Sequence, residues 1–183
     1  TLLLLSPQIP MLFMGEEWGA TTPFQFFCDF EGELADAVRR GRKEEFAQFA
    51  SFTDPAMQAQ VPDPISPSTL TRSRLDRGEL ARPEHAAWTE RVRALLALRA
   101  AELVPGLAGM SPQARVDRLG AHGFVIAWQL ATGGIWQLQA NLGPAVEDGF
   151  PSPAGRVLHV TTGCDPTVPK RPAWSLVASL EHA

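Results

Sequence analysis

The chain has 183 residues, enough for one domain or for a large piece of one joined to a small one, and its 45% apolar content supports a buried core. With 20 acidic against 16 basic residues the net charge is −4, which leaves no basic field for nucleic acid or an anionic membrane surface. No apolar run approaches the roughly 20 residues of a membrane helix, no secretory leader is recognisable, and two distant cysteines, Cys28 and Cys164, read as free thiols of a reducing cytoplasm.

The chain opens without Met on Thr1 and runs into Leu2-Leu3-Leu4-Leu5, which reads as the tail of a helix begun elsewhere. The sequence is therefore expected to be the C-terminal piece of a longer protein. Pro7 and Pro10 stop the helix. Met11-Leu12-Phe13-Met14 is apolar on both faces of a pleat and predicts a buried parallel strand. Gly15-Glu16-Glu17-Trp18 follows at the strand's C-terminal end, where α/β folds place binding loops. On an extended chain Glu16 and Glu17 point to opposite faces, so only one can face a pocket.

Phe24, Phe26, Phe27 and Phe30 form an aromatic loop that reads as its own core rather than a stacking platform, with Asp29 needing a partner among them. Two short helices are predicted next, 33–40 ending at Gly41 and 42–52 with Phe46, Phe49 and Ala50 on one face. The intervening basic cluster Arg39, Arg40, Arg42 and Lys43 is balanced by Glu44 and Glu45 and reads as a solvated face. The Pro-rich stretch 54–80 is long for a connection, which points to a functional excursion. Pro83 opens a helix to about Leu103, with Trp88, Val92, Leu95, Leu96 and Leu103 as its apolar stripe. Pro105-Gly106 ends it and marks the domain boundary.

Beyond residue 110 the period becomes two. Phe124, Ile126, Trp128 and Leu130 share one strand face, and Trp136, Leu138, Ala140 and Leu142 share the next, joined at Thr132-Gly133-Gly134. Residues 156–160 and 174–180 are further strands, the last alternating Trp174, Leu176, Ala178 and Leu180. The spacing predicts a small antiparallel sandwich with Trp128 and Trp136 in its core.

The chemistry-bearing features are few. A carboxylate and an indole at a strand end suit a sugar, the first accepting hydroxyl protons and the second packing on C–H patches. A capping or ion-paired Glu with a core Trp is the other reading of the same residues. The histidines at 85, 122, 159 and 182 lack metal-ligand spacing, and no nucleotide-binding or serine-hydrolase motif is present.

Ser6-Pro-Gln-Ile-Pro-Met-Leu-Phe-Met-Gly-Glu-Glu-Trp18 resembles the eighth barrel strand of the α-amylase superfamily of glycoside hydrolases. More narrowly, Pro23-Phe24-x-Phe26-Phe27-x-Asp29, Arg39-Arg-Gly-Arg-Lys-Glu-Glu-Phe46, Val61-Pro-Asp-Pro64, Arg72-Ser-Arg-Leu-Asp76 and Pro172-Ala-Trp-Ser175 are together similar to the malto-oligosyltrehalose trehalohydrolases. The resemblance implies an α/β plus all-β architecture. Residues 1–104 would be the last strand, long loop and last helix of a (β/α)8 barrel, and residues 105–183 a C-terminal β-sandwich. It implies hydrolysis of the α-1,4 bond next to a terminal trehalose unit by the retaining two-carboxylate mechanism, with no metal or organic cofactor. The family's catalytic carboxylates come from strands four, five and seven, so none is expected in this chain. Glu16, Glu17, Trp18, Phe27 and Asp29 are the candidate substrate-binding residues. The implied partners are a malto-oligosyltrehalose or related α-glucan and the N-terminal part of the same barrel, not nucleic acid or membrane. Without those neighbours, residues 1–80 are expected to be loose, aggregating or held by another copy. A glycogen branching enzyme and a non-catalytic carbohydrate-binding module are the competing readings.

Overall fold

The computed structural model describes residues 1–47 and 61–182. Packing divides them into two compact units, residues 1–13 with those from 87 onward, and residues 14–86.

In the first unit the opening leucines form a single helical turn, α1 (Leu2–Leu5). The segment predicted as a buried strand is irregular and exposed, Met11 at 84%. A strand needs partners for its backbone groups and cover for both faces. Among the described residues no strand pairs with it. The long helix runs in the second part of the chain: α4 (Pro83–Leu98) passes into a π-helical turn at Arg99–Leu103 and a 3-10 turn at Val104–Gly106. Of its predicted stripe, Val92, Leu95 and Leu103 are buried, whereas Trp88 and Leu96 are exposed, so the buried face is narrower than the sequence pattern.

An antiparallel sheet follows, of strands β1 (Ala114–Leu119), β2 (Gly123–Gln129), β3 (Ile135–Asn141), β5 (Arg156–Val160) and β7 (Ser175–Glu181), in the order β1-β2-β3-β7-β5. The predicted hairpin is in register, with Trp128 opposite Trp136 and Ile126 opposite Leu138. Its turn is closed by Leu130 N–H to the Gly134 carbonyl at 2.8 Å and holds Gly133 at φ 90°. The edge strand β1 and the two-residue strands β4 (Glu147–Asp148) and β6 (Lys170–Arg171), paired with each other, were not anticipated. Arg115, Asp117 and Arg118 give β1 no apolar alternation to read.

Among the described residues the inner face of this sheet is closed by helices and not by a second sheet as a sandwich would be. Trp128, Trp136, Leu138, Ala140, Leu176, Ala178 and Leu180 form one core with Leu4 and Leu5 of α1 and Val92, Leu95 and Leu103 of the long helix. Each fully buried large side chain there contributes about 1.5–3 kcal/mol. Two polar side chains tie α1 into that core. Trp136 Nε1–H donates to the Leu5 carbonyl at 2.9 Å, and the buried Arg99 guanidinium donates to the carbonyls of Leu4 (3.1 Å), Ser6, Pro7 (3.2 Å) and Gln8 (2.9 Å). A single guanidinium thus takes the Leu4 carbonyl, which has no intrahelical partner, together with three carbonyls of the chain that leaves the helix. On the opposite face the wholly buried Arg171 donates to Gln139 Oε1 at 2.6 Å and to the carbonyls of Asp165, Val168 and Lys170, with its guanidinium over the Phe150 ring. Burial is tolerated because the charge is hydrogen-bonded.

In the second unit a single helix, α2 (Gly32–Ala47), replaces the two predicted. Gly41 does not stop it. Its cost in a helix interior, about 1 kcal/mol relative to Ala, is offset by helix-forming neighbours and by the Arg39–Asp36 and Arg42–Glu45 pairs. Phe49 and Ala50, with the rest of the predicted second helix beyond residue 47 and the start of the Pro-rich excursion, lie outside the described residues. Within 61–80 the excursion is built of α3 (Pro67–Arg72) and a 3-10 helix, Arg77–Ala81. Ser66 caps the first by accepting from Ser68 N–H, and Asp76 caps the second by accepting from Gly78 N–H at 2.8 Å. No helix of the described residues is long and apolar enough to cross a membrane.

Candidate functional site

Glu16, Glu17 and Trp18 form one turn of 3-10 helix between two left-handed glycines, Gly15 at φ 90° and Gly19 at φ 66°. The expectation of opposed side chains on an extended chain is corrected, because a 3-10 turn rotates successive side chains by about 120°. Gly15 is required twice over. Its φ is left-handed, and a Cβ there would lie 2.7 Å from that of Ala20. The Glu17 carboxylate turns back and accepts from Gly15 N–H at 2.9 Å. Trp18 is buried, and its carbonyl accepts from His85 Nδ1–H at 2.9 Å. Glu16 is exposed.

The loop that follows is fastened at three points to the 61–86 segment. Glu79, itself buried, accepts from both the backbone N–H (3.2 Å) and the hydroxyl of Thr21. Ser73 Oγ accepts from Gln25 N–H at 3.0 Å, and the Pro64 carbonyl accepts from Cys28 N–H at 2.9 Å. The Thr21 hydrogen bonds, helped by His85 and the Trp18 indole, hold the Glu79 carboxyl below its usual range. Farther along, Arg39 bridges Asp36 and Asp63, and the Ile65 N–H with Arg39 holds the Asp63 carboxyl down as well.

This fastening fixes the aromatic residues in a way the sequence reading did not foresee. Phe24, Phe26 and Phe30 are exposed, so they are not the loop's own core. Phe27 is half-buried against Phe24, ring centroids 5.8 Å apart, and Asp29 is exposed rather than enclosed among rings. Water solvates Asp29, so it needs no protein partner. Beside them a groove of about 220 Å³ is lined by Phe24, Phe26, Arg42, Phe46, Val61 and Pro62, with the Arg42 guanidinium over the rings of Phe26 (5.1 Å) and Phe46 (4.5 Å). The basic cluster thus serves packing and ion pairs on the α2 surface.

The five candidate residues therefore separate into two sets. Glu17 and Trp18 are placed to hold the turn, while Glu16, Phe27 and Asp29 present accessible surface. Sequence reasoning missed Thr69, Ser73, Glu79 and His85, the buried polar residues that organise the loop. The one available signal was the Asp76 cap, which starts a turn that buries Glu79 three residues on. Among the described residues no group of three or more His, Cys, Asp or Glu stands together to hold a metal ion.

A family profile described as a domain of unknown function (DUF3459) matches residues 113–177, the sheet region. The chain is 47% identical over 96 residues to the malto-oligosyltrehalose trehalohydrolase of Deinococcus radiodurans, and 52% identical over 99 residues to that of Arthrobacter ramosus. These stretches cover 52% and 54% of this chain but 15% and 16% of the relatives, so the chain spans only a small part of the length of the curated relatives it matches. A solved Salmonella typhimurium protein provisionally titled an alpha amylase superposes at a TM-score of 0.85 with 35% identity, covering 98% of this chain and 29% of that one. The chain is thus similar over about half of its length to malto-oligosyltrehalose trehalohydrolases, and over nearly all of it to a part of a solved alpha-amylase-like protein.

Proposed function

We propose that this chain is the C-terminal part of a glycoside hydrolase that releases trehalose from malto-oligosyltrehalose. The observation that carries the reading is the stretch of about one hundred residues, half identical to relatives that bear that name. The reaction cleaves one α-1,4 bond and adds one water across it. Trehalose leaves as one product and a shortened maltodextrin as the other. Both catalytic carboxylates of the retaining mechanism come from barrel strands that precede this sequence. Residues 1–104 complete the barrel and residues 105–183 form the domain that follows it.

Within that barrel the 15–30 loop forms part of the sugar-site wall. Glu16 and Asp29 accept hydroxyl protons, and Phe27 supplies an apolar face. Glu17 and Trp18 keep the turn in place, and the Glu79, Ser73 and Pro64 anchors keep the loop from moving when sugar binds. A rigid wall of this kind limits the ordering cost of binding. The protein carrying it is soluble and works in the cytoplasm on an α-glucan.

The test is product analysis. This chain would be joined to the preceding part of the Arthrobacter ramosus enzyme and given a malto-oligosyltrehalose beside a plain malto-oligosaccharide of equal length. Free trehalose from the first substrate alone is the expected result. New α-1,6 branches would assign the chain to a branching enzyme, and glucan binding without turnover by a folded fusion would assign it to a binding module.

A further inference from the structure

The sequence pattern places Trp174 on the buried face of the last strand, in step with Leu176, Ala178 and Leu180. The structure places it elsewhere. Trp174 stands just before β7 at φ 54°, the only non-glycine residue with positive φ among those described, and its side chain is 65% exposed. A bulky side chain in the left-handed region is a strained conformation that persists only where its surroundings impose it. Here they do. The wholly buried Asn141 donates through Nδ2 to the carbonyls of Ala145 (2.7 Å), Arg171 (3.0 Å) and Pro172 (3.0 Å) and accepts from Gly143 N–H at 2.9 Å. Ser175 Oγ–H donates to the Pro172 carbonyl at 2.7 Å, and Trp174 N–H donates to that of Gly143 at 3.2 Å. A rigid frame thus turns a large indole away from the core and into solvent.

The indole is not alone at that end of the sheet. Leu142 N–H donates to the His122 carbonyl at 3.1 Å, so His122, Leu142–Gly143 and Trp174 lie side by side across three neighbouring strands. The exposed His122 also lines a depression of about 500 Å³ with Val116, Arg118, Ala121, Phe124 and Ile126. That volume lies in the range of small-ligand sites. Its lining mixes apolar surface with an imidazole and a guanidinium. An apolar face for C–H patches beside donors for hydroxyls is the chemistry that recognises a pyranose ring.

We propose that Trp174, with His122 and the depression that His122 lines, is a glucan-docking surface that holds a malto-oligosaccharide independently of the catalytic site. The choice of an α-1,4-glucan as ligand rests on the function proposed above. The site itself rests on the strained, framed and exposed indole. Its role is to retain a long maltodextrin near the enzyme.

Trp174→Gly separates this role from a structural one, because glycine adopts the left-handed conformation without strain. The wild type, Trp174→Gly, His122→Ala and a control at the other exposed indole, Trp88→Ala, would be compared by native electrophoresis in gels containing amylose and by titration with maltoheptaose. Wild type and Trp88→Ala should be retarded. Trp174→Gly should bind maltoheptaose at least about tenfold more weakly and His122→Ala measurably less well, while the thermal midpoint of Trp174→Gly stays at or above that of wild type. Retardation of Trp174→Gly equal to wild type, absence of retardation in wild type, a midpoint several degrees lower in Trp174→Gly, or a Trp174-dependent dimer that ignores glucan would each overturn the proposal. Plain maltoheptaose has no trehalose end. Failure of the trehalose-releasing reading therefore leaves this assay standing, and trehalose release by an enzyme that does not bind maltoheptaose through Trp174 overturns the docking surface alone.

Discussion

Replacing Arg99 by Met should be among the most damaging single changes available in the sheet-bearing unit. The side chain is buried and its guanidinium donates to four carbonyls between Leu4 and Gln8. Methionine keeps much of the length and apolar stem and deletes the donors. The bonds to the Leu4 and Pro7 carbonyls are buried, so those two acceptors are stranded, at about 1–3 kcal/mol each. The bonds to Ser6 and Gln8 are only partly buried, and water can replace them. Against this stands relief from burying a charge. That burial already draws the Arg99 pKa downward through desolvation. The balance is a loss of about 2–4 kcal/mol. Urea unfolding followed by tryptophan fluorescence reads it directly, since Trp136 sits in the same core and bonds to Leu5. Arg99→Lys retains charge but not the planar fork, and should recover less than half of the loss. A Met variant within about 0.5 kcal/mol of wild type would show that α1 is held by leucine packing and the Trp136–Leu5 bond without Arg99.

Two further effects can be checked on the same chain. Gly155→Ala should destabilise by at least about 2 kcal/mol in the same urea experiment, because φ is 67° and the new Cβ would fall 2.3 Å from the Leu180 carbonyl oxygen; a neutral result would refute the close approach. Glu79 has its folded pKa lowered, chiefly by Thr21, so its contribution is complete above the ordinary carboxylate range and is lost as pH falls through the lowered value. Glu79→Gln should therefore flatten the acid limb of a stability–pH profile measured between neutral and acid pH. An unchanged limb would remove Glu79 as the anchor of the 20–28 loop.

What could be read from the sequence was whatever a local period or a local cap encodes. The β2–β3 hairpin was legible because Trp128, Ile126, Trp136 and Leu138 alternate around a Gly-Gly turn, and their pairing follows from that alternation. Pro83 and Glu84 announced the long helix in the same way. Met11 to Met14 misled, because an apolar run reports a demand for neighbours and not their presence. Gly41 misled because a helix-breaking preference of about 1 kcal/mol is offset by helix-forming neighbours and by the ion pairs that flank it on either side, Asp36–Arg39 and Arg42–Glu45. Trp174 departs from a clean alternation because distant hydrogen bonds from Asn141 impose its backbone angle. At the candidate site Glu16, Glu17 and Trp18 were legible as a group. The division of labour among them depends on Gly15, His85 and Glu79; His85 lies 67 residues from Trp18 and Glu79 lies 58 residues from Thr21, the residues they hold.

The division between sugar contact and catalysis is open to one direct measurement. The fusion to the preceding part of the Arthrobacter ramosus enzyme would be prepared with Glu16→Gln, Glu17→Gln and Asp29→Asn together, and kcat and KM for any trehalose release from malto-oligosyltrehalose would be determined. Residues that line the sugar site without reacting predict a raised KM with kcat within about tenfold of the parent. A fall in kcat of about a thousandfold or more in a folded variant would place a reacting carboxylate inside this chain and contradict that division.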